Sequence, residues 1–231
     1  MVAFRATFAA VVFVAASSLT EAQVGDARFL DELDIRDTGQ DRDFVLLAPF
    51  RDVDPAGTTW VVPTGTVVNG ASIPRPLWTL IGGPWDGPYR RPSVVHDYFF
   101  EQKKYSSDEV HRVFYDAMVT ANVGRLKAKL MYWAVVRFNR RWVRANIDPL
   151  ECNRLQAGRP GRVNCLPAQA ESNREPLVRE DTVDVDFDKT ELDAMEKQLK
   201  AAELPIEELK KRADAAYATA PKNVVQIRYI R

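Results

Sequence analysis

Cysteine and histidine are scarce in this 231-residue chain, at two residues each, and net charge is absent, with 32 Lys plus Arg balancing 32 Asp plus Glu. Two cysteines exclude a disulfide-dense mini-scaffold and any multi-cysteine zinc fold. Two histidines mean that any imidazole chemistry rests on His96 and His111. A net charge of zero argues against a dedicated nucleic-acid binder. The apolar stretch near the N-terminus, Thr7 to Leu19, is also short: its 13 residues fall below the roughly 20 needed to span a bilayer as a helix.

What is present is substantial. Apolar residues make up 46% of the chain, which excludes wholesale disorder. The length suits one domain of ordinary size with an appendage. Arg5, the apolar stretch and the small residues of Thr20-Glu21-Ala22 give residues 1–22 the pattern of a secretory signal, so the product is expected to be exported, to the periplasm or beyond. In an oxidising compartment Cys152 and Cys165 are expected to pair, closing a loop that contributes about 3 kcal/mol by chain entropy.

Charge is segregated along the chain. Residues 26–54 carry nine acids and four bases, residues 125–162 ten bases and two acids, and residues 171–214 fourteen acids and eight bases. Neutrality is therefore an average over blocks of −5, +8 and −6. Opposite blocks attract, so the acidic tail is expected either to dock on the basic segment or to hold a protein partner. The basic segment 125–144, with Trp133 and Trp142, could alternatively rest on an anionic membrane surface.

Residues 44–48 and 58–62 read as strands joined by a turn at Pro55 and Gly57. Three helices follow. The first opens at Pro92, the second at a Ser106–Glu109 capping box, and the third runs after Gly124 through Leu126, Leu130, Trp133, Phe138 and Trp142. The expected fold class is α+β: a small antiparallel sheet on a three-helix core over 23–147, with a helical extension. Residues 148–186 read as a disulfide-pinned loop and linker. Residues 187–231 read as two amphipathic helices, the second started by Pro205, and a terminal strand that could add to the N-terminal hairpin.

Chemistry concentrates in three segments. The first is a tight loop, Asn69-Gly-Ala-Ser-Ile-Pro-Arg75, in which Asn69, Gly70, Ser72 and Arg75 shape the backbone. The second is a Gly/Pro loop, residues 82–87, whose Asp86 could help hold a cation. The third is Val95-His-Asp-Tyr98. Adjacent helical residues point about 100° apart, so His96 and Asp97 should serve different neighbours: His96 as a base, Asp97 as a cation ligand or a loop anchor. His111 on the next helix could face His96, and two imidazoles with Asp97 would suit zinc.

The runs W-V-V-P-T-G-T-V-V-N-G-A-S-I-P-R-P-L-W, Y-R-R-P-S-V-V-H-D-Y-F-F and V-H-R-V-F-Y-D-A-M, spanning roughly residues 44–142, resemble a bacterial and phage family known as domain of unknown function 1353. That resemblance implies a compact domain and no particular activity. The two helices also look like those of bacterial secreted phospholipase A₂, which implies His96 as general base, Asp97 as a calcium ligand and an orienting group at position 111. There the pattern has Asp and this chain has His. Two functions follow: a hydrolase of esters or lipids using a His96/His111 site, or a non-catalytic envelope or assembly module in which these residues are structural.

Overall fold

In a computed structural model of the chain, residues 26–40, 43–70, 85, 87–147 and 177–230 are described. The expected signal segment, Ser72, Arg75, Asp86, Cys152 and Cys165 lie outside them. The architecture is α+β, with antiparallel sheets and helices.

Two small sheets form the N-terminal half. One orders β1 (Arg28–Phe29), β4 (Phe50–Val53) and β5 (Thr59–Val62); the other orders β2 (Ile35–Asp37), β3 (Phe44–Leu46) and β6 (Val67–Val68). The turn at Pro55 and Gly57 therefore joins Phe50–Val53 to Thr59–Val62, a correction to the hairpin expected from residue 44. Asp54 builds that turn. Its Oδ1 accepts the Ala56 and Thr58 N–H groups and its Oδ2 accepts the Trp60 indole N–H, while Gly57 supplies a φ of +85°. Alternation along β5 then sends Trp60 and Val62 inward and leaves Val61 in solvent.

Helices α1 (Arg90–Gln102), α2 (Ser107–Thr120) and α3 (Arg125–Phe138) follow. Pro92 is the third residue of α1, within the first turn, where its missing N–H leaves no helical bond unmade. The Ser106–Glu109 capping box is formed in both directions. Every residue of α3 from Ala128 to Phe138 is buried, the signature of a helix covered on all sides.

The cover comes from the C-terminal tail. Helices α4 (Lys189–Ala201) and α5 (Ile206–Thr219) insert Leu192, Met195, Leu199, Leu209 and Ala213 into the core cluster that holds α3. Pro205 is the N-cap of α5. Acids on the tail meet bases on the core: Glu203 meets Arg125, Glu191 takes both Nε and Nη2 of Arg137 at 2.7 Å, Asp214 meets Arg141, and Glu207 meets Arg112. The acidic block thus docks on the basic one within the same chain.

A third sheet orders β7 (Arg141–Ile147), β8 (Leu177–Asp184) and β9 (Asn223–Ile230). It corrects three expectations. The third helix ends at Phe138, so Trp142 reaches the core from a strand, with its indole N–H on the Tyr105 carbonyl at 2.9 Å. Part of the expected linker, Leu177–Asp184, is the central strand of this sheet, and the terminal strand pairs with it rather than with the N-terminal hairpin. Trp133 and Trp142 are buried, which removes the aromatic half of the membrane face read into 125–144. No helix among the described residues is long and apolar enough to cross a membrane.

One buried group weakens this fold at high pH. Asp52 on β4 is 1% exposed, and among the described residues its Oδ1 has no hydrogen-bond partner. Burial first, then the charges of Asp54 and Asp116, push its carboxyl up to about 7 from 3.8. The folded chain holds a proton there that the unfolded chain releases, so this group's contribution falls as pH rises from 3.8 through about 7. Asp52→Asn should therefore stabilise the protein by on the order of 2–4 kcal/mol at pH 8 and change it little near pH 4. Urea denaturation at the two pH values checks this, and an equal effect at both would refute it.

Candidate functional site

The first core cluster packs the inner faces of the N-terminal sheets on Val94, Val95, Phe99 and Phe100 of α1 and on Val110 and Val113 of α2. That packing fixes the rotation of both helices and decides where His96, Asp97 and His111 point. His96 turns toward α2, where its Nε2 lies 3.0 Å from Nδ1 of His111. The rings are stacked at 23° with centroids 5.2 Å apart, and Phe100 and Phe114 lie against His96 at 5.4 and 4.7 Å. Both histidines are 0% exposed.

A 3.0 Å contact between two ring nitrogens holds one proton: one imidazole donates and the other accepts. Burial, followed by the proximity of His96, Arg141 and Lys210, holds His111 well below its ordinary value. Its Nε2 has no hydrogen-bond partner among the described residues.

Asp97, one residue on, faces the other way. Its Oδ2 accepts the N–H groups of Asn69 at 2.9 Å and Gly70 at 2.6 Å. Gly70 has a φ of +101°, a conformation that costs an L-residue and not glycine. The carboxylate therefore fixes the entry to the Asn69–Arg75 loop across 27 residues of sequence. Beside it a cavity of about 300 Å³ is lined by Thr66, Asn69, Asp97, Tyr98 and Glu101.

These contacts set what the site can do. One Asp97 oxygen, Oδ2, is turned to the two N–H dipoles of Asn69 and Gly70. Among the described residues no three His, Cys, Asp or Glu side chains are grouped to hold a metal. The donor set in place thus does not form the zinc or calcium site expected from His96, His111 and Asp97, and no step is routed through a metal. Asp86, the other residue expected to hold a cation, lies outside the described residues. What the arrangement does is join α1 to α2 through the imidazoles and α1 to the loop through the carboxylate.

A second polar node had no counterpart in the sequence reading. Lys103 caps α1 at a φ of +51° and is buried, with Nζ donating to Thr182 Oγ1 at 2.6 Å and Gln226 Oε1 at 3.1 Å, and with Glu180 3.6 Å away. Its partners lie 79 and 123 residues downstream, beyond the reach of any local pattern. The Asp54 turn was more accessible, because Asp-Pro-Ala-Gly is itself a turn signature.

Residues 44–135 match the model of a family described as protein of unknown function (DUF1353). The chain is 45% identical over 111 residues to the uncharacterized protein y4jT of Sinorhizobium fredii (strain NBRC 101917 / NGR234), covering 47% of this chain and 33% of that protein. It is 40% identical over 98 residues to the uncharacterized protein y4iH of the same strain, covering 42% of this chain and 41% of that protein. The chain thus spans between a third and two fifths of the length of these relatives. No solved structure matches it.

Burial of the imidazole pair has a pH signature. An unfolded His111 takes up a proton near 6.5 and the folded one does so only at much lower pH. Stability should therefore fall as pH drops below 6.5, at up to about 1.4 kcal/mol per pH unit for this one group. Replacing both histidines with leucine should flatten that slope between pH 6.5 and 5. A slope unchanged from the parent protein in denaturant midpoints would contradict the assignment.

Proposed function

We propose, from the premise that residues 44–135 belong to the DUF1353 family, that this chain is an exported, non-catalytic module of the cell envelope in which the His-Asp helix is a structural lock. The observation that supports this reading is the fate of the three polar side chains. His96 and His111 are wholly buried against Phe100 and Phe114 and bonded to each other, and Asp97 is occupied by the Asn69 and Gly70 N–H groups. A general base must reach a water or substrate proton at hydrogen-bond distance, and neither ring is exposed to one. Export is an expectation of residues 1–22 and belongs to the same proposal.

One observation favours the alternative, an ester or lipid hydrolase. His111 meets His96 Nε2 at the position where the phospholipase resemblance puts the group that orients the base. The two readings part in a single experiment. The full chain, its His96→Ala variant and its His111→Ala variant are assayed on short-chain esters and on dispersed phospholipid, with and without added Ca²⁺ or Zn²⁺, and their unfolding is measured alongside. As a lock, the parent protein shows no turnover above buffer, and each variant loses about 2–4 kcal/mol of stability. The double variant should lose less than the sum, because the second substitution removes a group already deprived of its partner. Turnover that His96→Ala abolishes while leaving the thermal midpoint in place would establish the hydrolase instead.

A further inference from the structure

The start of α3 and the end of α4 border an open groove of about 340 Å³, distant in sequence from the His-Asp helix and unused by the lock. Leu126, Leu199, Ala201 and Ala202 make its apolar wall. Leu126 is one of the few large apolar side chains left exposed on the helical half of the molecule, at 38%. Volumes of roughly 300–1,000 Å³ are those of small-molecule sites, so the space suits one acyl chain and not a bilayer surface.

The rim of the groove is cationic. Arg125, Lys129 and Lys200 line it with one acid, Glu203, and Lys200 is itself paired with Glu196 at 2.7 Å on α4. Lys129 runs its alkyl stem through the apolar wall, 9% exposed, and brings Nζ to 3.4 Å from Glu203 Oε1, while Arg125 Nη1 reaches the same oxygen at 2.7 Å. Gly124, the N-cap of α3, offers no side-chain acceptor, and the first turn carries no acid. The positive end of the helix thus reinforces the two cations. Glu203 shows what they accept: a carboxylate seated between a guanidinium and an ammonium. Its side chain is 63% exposed, free to swing out and give up the place.

From this juxtaposition of an apolar groove with a carboxylate-binding rim we propose that the α3–α4 groove binds a single-chain lipid with a carboxylate head, such as a free fatty acid. The acyl chain lies against Leu126, Leu199 and Ala202. The head displaces Glu203 from Arg125 and Lys129. Each exchange is of like for like at the rim, so the net gain comes from covering apolar surface, and the charge decides which amphiphiles enter. This site does not depend on whether the His-Asp helix is a lock or a catalytic centre.

The test is calorimetric titration of the full chain with dodecanoate, dodecylamine and dodecanol, each kept below its aggregation concentration. Dodecanoate should bind with a Kd on the order of 10 µM, and at least about tenfold more tightly than the amine or the alcohol. Leu126→Asp and Arg125→Glu should each weaken it about tenfold or more. Both place an acid in the first turn of α3, which suits the helix, so their thermal midpoints should hold; if Arg125→Glu fails to fold, Leu126→Asp decides alone. Glu203→Gln should tighten binding severalfold by removing the internal competitor. Equal affinity for the amine, or dodecanoate binding unaltered by Leu126→Asp, would overturn the proposal. So would sedimentation of the chain with anionic phosphatidylglycerol vesicles in the absence of any binding to monomeric dodecanoate.

Discussion

The structure depends on the solvation of one helix. From Ala128 to Phe138 helix α3 is buried on every face, so no single neighbour can satisfy it. Helix α2 covers one side and the α4–α5 hairpin another. Without the hairpin, the part of α3 packed in one cluster with Leu192, Met195, Leu199, Leu209 and Ala213 would border water, and Arg137, now 3% exposed, would lose the carboxylate that makes its burial tolerable. The tail is thus part of the core rather than an accessory to it. The segregated charges serve the same end. Individually, exposed pairs such as Arg112–Glu207 add little, but together they set acids of the tail against bases of the core.

The His-Asp helix shows how neighbouring residues can serve separate tasks. Successive side chains on a helix diverge by about 100°, so His96 reaches the next helix while Asp97 reaches back to the loop that follows β6. The imidazole pair sits in a cage of phenyl rings, and the carboxylate accepts two backbone N–H groups. Neither needs the other. That division gives the two members of the dipeptide separate contacts, with the Asn69–Gly70 entry held by a group whose loss would free it.

Local features were legible in the sequence, and distant pairings were not. The capping box at Ser106, the break at Gly124, the start of α5 at Pro205 and the alternation over Thr59–Val62 each follow from a few adjacent residues, and each stands in the structure. Trp142 misled because its spacing from Phe138 is helical, while the strand that captures it lies some 40 residues away in sequence. The C-terminal strand misled for the same reason: its composition announced a strand but not a neighbour. At the site, the approach of His96 to His111 could be anticipated from their distances to the turn, whereas their complete burial depends on Phe100 and Phe114 closing over them, which no periodicity specifies.

The Lys103 node carries a kinetic consequence. Its ammonium joins the end of α1 to Thr182 and Gln226, contacts that close loops of 79 and 123 residues. Contacts of such sequence separation form late, because the ordering of the intervening chain must come first. On a ribosome, Gln226 emerges 123 residues after Lys103. The end of α1 therefore stays unclosed through the synthesis of that whole interval, until the strand carrying Gln226 is added.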